Sequence, residues 1–199
     1  SVTNVGSYNV ATGVYSFTGT ASAAQAAIQS LVFTPTANRV AVGQPETTTF
    51  TVVANDGFTS TTDNTTSVIS SSINDAPVLG GAGVGQTVND NATLSPFANF
   101  TVSDADIGDS QTVTITLDDP AKGILTNLGS GTFVAGVYSF TGTAAAAQTA
   151  IRGLIFRPAA NRVAVDATET TTFAVSVTDS ANANATNSLT TVISKSIND

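Results

Sequence analysis

Residues 13–42 read GVYSFTGTASAAQAAIQSLVFTPTANRVAV, and residues 136–165 read GVYSFTGTAAAAQTAIRGLIFRPAANRVAV. The two stretches align without a gap at an offset of 123 (136 − 13), and 23 of the 30 positions are identical. The match continues through Glu46-Thr47-Thr48-Thr49-Phe50 and Glu169-Thr170-Thr171-Thr172-Phe173. It ends as Ser72-Ile73-Asn74-Asp75 and Ser196-Ile197-Asn198-Asp199, now offset by 124 (196 − 72). A fixed period as long as a small domain is the signature of similar modules in tandem.

Inside the repeat, Val14-Tyr15-Ser16-Phe17 alternates apolar and polar residues between Gly13 and Gly19, which predicts a short strand. Residues 21–30 are rich in Ala and Gln, Thr20 stands in the capping position, and Ala24, Ala27, Ile28 and Leu31 fall at helical spacing. This predicts a helix of two to three turns whose small side chains let it lie close over one end of a sandwich. Leu31-Val32-Phe33 reads as a strand stopped by Pro35. Residues 47–55 read as a longer strand with Phe50, Val52 and Ala54 on one face, and residues 67–73 hold the last strand of this half.

At Asn74-Asp75-Ala76-Pro77 the pattern breaks, because Pro removes a backbone donor and biases its predecessor toward extended geometry. A module boundary is expected there. Residues 1–75 correspond to 124–199 and form the back part of one module, whereas residues 76–199 form a complete one. The stretch is read as an interior slice of a longer protein. Within 76–199, residues 111–117 (QTVTITL) alternate most cleanly, with Val113, Ile115 and Leu117 inward and Thr112, Thr114 and Thr116 outward. Residues 124–126 and 136–140 read as a pair joined by a Gly-rich loop. About seven short strands per unit of roughly 120 residues predict an all-β fold: tandem antiparallel β-sandwich modules, each with one short Ala-rich helix.

Composition closes off several functions. The chain has 199 residues, no Cys and no His, and a net charge of −8, so thiol, Cys-zinc and His-based acid–base chemistry are all unavailable. A nucleic-acid partner would need a basic stripe, and six Lys and Arg against 14 acidic residues provide none. No apolar run reaches the 18 residues expected of a membrane-spanning helix. Glu46 and Glu169 occupy equivalent positions in different modules, so they are not read as a hydrolase's carboxylate pair. No enzyme is expected. Lys122 and Lys195, which could in principle form isopeptide crosslinks, read as solvated lysines.

The linker Asn74-Asp75-Ala76-Pro77-Val78, the loop Asp104-Ala105-Asp106 and the strand end Val177-Thr178-Asp179 resemble the cadherin-like, Ig-like tandem repeats of large secreted bacterial adhesins. The resemblance covers nearly the whole chain. It implies Greek-key modules, an extracellular place on the bacterial surface, and calcium at the junctions between modules. Carried over by position, it implies Asn74, Asp75, Asp104, Asp106 and Asp179 around one junction, with Asp109 as a further oxygen ligand and Glu46 contributing from the preceding module. Asp56 would then serve an earlier junction, and Glu169, Asn198 and Asp199 a later one. The animal pattern is not fully met: Ser72-Ile73 precede Asn74 where a DxNDN linker would begin, so one ion per junction is expected rather than three.

Elementary chemistry is compatible with this. Calcium takes six to eight oxygens, and Asp104 and Asp106, two apart in a loop, can face one point. Asp, Asn and Gly are also good turn formers by themselves. Two functions follow. One is a calcium-stiffened spacer in an adhesin or matrix fibre, with neighbouring repeats and further copies of the protein as partners; the other is a carbohydrate- or protein-ligand-binding adhesion module. Because 1–75 lack counterparts of 100–102 and 111–117, they are expected to be completed by strands of another copy or held by such a neighbour.

Overall fold

The computed structural model describes residues 6–198 and forms two compact units, Ser1–Thr36 and Ala37–Asp199. The smaller unit holds a hairpin of β1 (Ser7–Asn9) and β2 (Val14–Ser16), followed by α1 (Ala21–Gln29). As the sequence predicts, Thr20 caps α1: its hydroxyl accepts from the Ala23 N–H at 3.4 Å. Leu31-Val32-Phe33, expected as a strand, forms none.

The larger unit starts with a two-stranded ribbon, built from β3 (Pro45–Thr49), β4 (Val52–Asn55), β5 (Ser60–Asp63) and β6 (Ser67–Ser71). β3 pairs with β6 and β4 with β5, so the expected strand over 47–55 is interrupted at Phe50-Thr51. After the linker come β7 (Val78–Gly80), β8 (Gln86–Asn89), β9 (Thr101–Ser103) and β10 (Gln111–Leu117). Then follow β11 (Gly123–Thr126), β12 (Thr132–Val134), β13 (Val137–Gly142) and α2 (Ala144–Gly153). The chain ends with β14 (Ile155–Pro158), β15 (Thr168–Thr178) and β16 (Asn184–Lys195).

These elements make a β-sandwich. One layer is a six-stranded sheet in the order β12-β13-β10-β15-β16-β8, antiparallel except that the edge strand β8 runs parallel to β16. The other layer contains the pairs β7–β9 and β11–β14, and Leu94 joins it by exchanging two backbone hydrogen bonds with Phe156. The predicted pairing of 124–126 with 136–140 is therefore replaced. β11 pairs with β14 in one layer, while β13 lies between β10 and β12 in the other. The alternation of β10 is borne out: Val113, Ile115 and Leu117 are buried and Thr112 and Thr116 exposed.

The core sits between the layers. Phe173 from β15 meets Phe97 and Phe156 of the facing layer edge-on, at centroid distances of 5.3 and 5.1 Å. α2 buries Ala147 and Ile151 in this core, and its polar side chains complete the open edge beside it. The Gln148 Oε1 accepts the Val102 N–H, and the Arg152 Nε donates to the Phe100 carbonyl at 2.7 Å. The Ala-rich face lets the helix approach, and Gln148 and Arg152 stand in for a missing strand. Just after β7, Gly81 has φ +70°, and a Cβ there would lie 2.0 Å from the Asn99 carbonyl oxygen; only glycine fits.

At the far end of this sandwich Asp90 is buried and accepts from the backbone N–H groups of Asn161 and Ile197, at 3.0 and 3.3 Å. The Asn161 N–H, more than any other contact, holds its carboxyl below the ordinary aspartate range. A carboxylate depressed on folding adds stability that is complete above its unfolded pKa and is lost as pH falls through the folded value. Asp90→Ala is therefore expected to lower the urea midpoint at pH 7. The gap to the parent chain should shrink below about pH 4.

Candidate metal centre

The opposite end of the sandwich gathers acidic residues from three places. Asp104, Asp106 and Asp109 come from the loop between β9 and β10, and Asp179 from the turn that joins β15 to β16. Asn74 and Asp75 come from the linker ahead of β7. Short-range hydrogen bonds shape each piece. The Asp106 N–H donates to Asp104 Oδ1 at 2.9 Å, and Gly108, with φ +76°, turns the loop back toward β10. The Asp179 Oδ1 accepts the Ala183 N–H at 2.7 Å, which closes the β15–β16 turn.

Longer-range bonds then tie the pieces together. The Asn74 side-chain amide donates to Asp179 Oδ2 at 2.9 Å, and the Asp75 backbone N–H donates to Asp106 Oδ2 at 2.8 Å. The linker is thus latched to both the loop and the strand end. Asp109 Oδ1 accepts from the hydroxyl and backbone N–H of Ser180 and from the Ser110 N–H. Desolvation acts to raise the Asp109 pKa. The hydrogen bonds from Ser180, Ser110 and Gln111 outweigh it, and the carboxyl titrates below its ordinary range.

Carboxylate oxygens of Asp104, Asp109 and Asp179 lie within 4.8 Å of one another. At that spacing each pair of like charges repels by roughly 3–4 kcal/mol for an effective dielectric constant of about 20. Five acids elsewhere pair with cations: Arg39 holds Glu46, Lys122 holds Asp118, Arg162 holds Asp119 and Glu169, and Lys195 holds Asp166. Asp56, Asp63, Asp75 and Asp90 meet only uncharged donors among the described residues. Among the described residues, no Lys or Arg pairs with Asp104, Asp106, Asp109 or Asp179. The donors they meet are amides and hydroxyls.

Sequence reasoning did not single out Gln111. It is fully buried, and its Nε2 donates to Asp104 Oδ2 at 2.8 Å and to Asp109 Oδ2 at 3.1 Å. The signal was there: Gln111 continues the inward series of Val113, Ile115 and Leu117, and a polar residue at an inward position beside an acidic loop needs a partner. Three buried oxygens around this centre have no hydrogen-bond donor: Gln111 Oε1, Asp106 Oδ1 and Asn74 Oδ1. A buried oxygen left unpaired costs about 1–3 kcal/mol, more when charged, unless something else satisfies it.

The remaining expected residues lie apart from this group. Glu46 bonds to Arg39, with Nε–Oε1 at 3.0 Å, as Glu169 at the same repeat position bonds to Arg162. The Asp75 carboxylate accepts from the Asn38 side chain at 2.8 Å, so only its backbone faces the centre. Asp56, the repeat counterpart of Asp179, caps its own turn by accepting from Phe58 and Thr59. Asp199 lies outside the described residues.

Comparison with known proteins gives little beyond this. No family model matches the chain, and no curated protein matches it. Among solved structures, the crystal structure of BcpA, the major pilin subunit of Bacillus cereus, is similar with a TM-score of 0.35 and 10% identity over 75% of this chain. The match takes in 48% of the pilin chain, so this chain spans about half of its length.

Proposed function

We propose that the chain is a non-enzymatic spacer from a bacterial surface adhesin or matrix fibre, divided into modules near residue 75 and stiffened by calcium at that junction. The observation that carries this reading is the set of orphaned oxygens, Gln111 Oε1, Asp106 Oδ1 and Asn74 Oδ1, beside three carboxylates that no Lys or Arg neutralises. The donor set is oxygen only, which suits a hard cation such as calcium. Asp104, Asp109 and Asp179 would hold the ion, and Asp106 and Asn74 stand ready to add oxygens. Because Asn74 and Asp75 are part of the linker, neutralising this centre would fix the linker to the module that follows it. The cadherin-like resemblance of the linker, loop and strand end points the same way.

The test is thermal unfolding in calcium and in chelator. Extracellular modules bind calcium at about 10⁻⁴–10⁻³ M, and a ligand at 100 times its Kd adds about 2.7 kcal/mol. Calcium in the tens of millimolar is therefore expected to raise the Tm of the parent chain, and Asp104→Asn with Asp179→Asn to abolish the rise. An identical Tm in both buffers sinks the calcium reading.

A second reading, a carbohydrate-binding adhesion module, is favoured by one feature. Tyr8 on the β1–β2 hairpin is 61% exposed beside a shallow groove lined by Asn9, Thr12 and Ser16. Exposed aromatic faces beside polar groups suit sugars. Glycan-array binding that is lost in Tyr8→Ala would favour this reading over the spacer.

A further inference from the structure

Residues 72–75 carry the chain from the β3–β6 ribbon into the sandwich, and hydrogen bonds anchor all of them but one. Ser72 is anchored to the ribbon: its carbonyl accepts from the Gly43 N–H at 2.9 Å, and its N–H donates to the Gln44 carbonyl at 3.2 Å. Asn74 and the Asp75 N–H are anchored to the sandwich, on Asp179 and Asp106 at 2.9 and 2.8 Å. Between them stands Ile73, which makes no hydrogen bond among the described residues and is 78% exposed. One repeat later the same position is held. Ser196 makes the same two backbone bonds, with Asp166 and Ala167, and Ile197 adds a bond from its N–H to Asp90 Oδ1 at 3.3 Å.

The buried core does not fix the ribbon either. Among the described residues it contains nothing from 37–71, and parts of a chain that share no large apolar interface move relative to each other by default. The two soft backbone dihedrals of Ile73 would thus let the ribbon swing. One contact spans them. The Asn38 side-chain amide donates to Asp75 Oδ2 at 2.8 Å. Asn38 belongs to the ribbon side, since its neighbour Arg39 is tied to Glu46 of β3 at 3.0 Å. Its φ of +55° is the left-handed conformation that Asn tolerates.

We propose that Ile73 is the hinge between ribbon and sandwich, and that Asn38 locks it by holding Asp75 across the joint. The lock closes a ring through Asn38, Asp75, Ile73, Ser72 and the backbone at Gly43 and Gln44. Within this ring the dihedrals of Ile73 cannot change far without breaking the Asn38 bond or the pair at Ser72. The bond has an ionised acceptor, which makes it about twice as strong as a neutral one. It joins an amide to a carboxylate directly, so it acts in the metal-free chain and does not rest on calcium. The Asp75 carboxylate, which faces away from the candidate centre, thereby has a task of its own.

The chain has no Cys, so spin labels can be placed at Thr61→Cys on β5 and Thr116→Cys on β10, both exposed positions, and the distance between them measured in chelator. The parent is expected to give one narrow distribution. Asn38→Gly keeps the left-handed backbone and removes the amide, and should at least double the width. Asn38→Asp should broaden it as well, by setting two carboxylates against each other. Adding Asp75→Asn to that variant exchanges donor and acceptor and should restore the narrow distribution. Equal widths in the parent and in Asn38→Gly would overturn the proposal, as would an exchanged pair as broad as Asn38→Asp alone. Thermal unfolding in calcium and in chelator bears only on the ion, so the two readings fail separately.

Discussion

Ile151→Ala is expected to lower the stability of the sandwich by about 2–5 kcal/mol, and Ile28→Ala, at the same position of the repeat, to cost less than about 1 kcal/mol. The two isoleucines sit in nearly identical sequences, each preceded by AQ-x-A at the end of an Ala-rich helix. Ile151 is fully buried in the cluster that includes Leu154, Phe156 and Phe173, whereas Ile28 is 46% exposed. Truncating a buried isoleucine removes its transfer free energy and leaves a cavity that the neighbours only partly fill. Truncating one that water already reaches removes little. Denaturant titrations of the two variants provide the comparison. Equal losses would mean that α1 is packed in solution as α2 is.

Gln111→Leu is expected to destabilise the chain by about 2–3 kcal/mol in chelator, because it removes two hydrogen bonds to carboxylates from a buried donor. It also leaves Asp104 and Asp109 facing each other with less compensation. The amide nitrogen sits between Asp104 Oδ2 and Asp109 Oδ2, the place a cation would take. If the amide substitutes for an ion, saturating calcium restores most of the loss, and the variant approaches the parent Tm only in that buffer. A loss of the same size in calcium and in chelator would mean that the Gln111 amide does not stand in for an ion.

Much of the architecture was legible in residues 111–117 and in the repeat. Period-two alternation placed Val113, Ile115 and Leu117 inward, and a capping Thr before an Ala run located both helices. What could not be read was which strand sits beside which. Residues 124–126 and 136–140 are close in sequence, and a hairpin costs least in loop closure, yet β11 crosses to β14 because its Leu125 belongs to the layer of Phe156. The parallel placement of β8 was equally hidden, since a strand of four residues carries no mark of direction. At the candidate centre, the cadherin-like resemblance implied Asp104, Asp106, Asp109 and Asp179 by position. Spacing alone said only that Asp104 and Asp106 can face one point, and the fold brings together carboxylate oxygens of Asp104, Asp109 and Asp179. The same resemblance placed Glu46 there, although Arg39, seven residues before it, offers a nearer partner. Gln111 carries no charge, and an uncharged amide becomes conspicuous only once its burial is known.

The parallel pairing of β8 with β16 determines how this domain carries a load. The chain runs into β8 at one end of that ladder and leaves β16 at the other. Tension applied through the backbone just before β8 and just after β16 therefore slides the two strands along each other, and the bonds of the ladder bear it together. An antiparallel edge pair pulled from adjacent ends would instead open one bond at a time, like a zip. Asp90 reinforces the same point, since it lies just past β8 and grips the Ile197 N–H just past β16. Stretch along this ladder is thus met by shear across several bonds at once rather than by peeling.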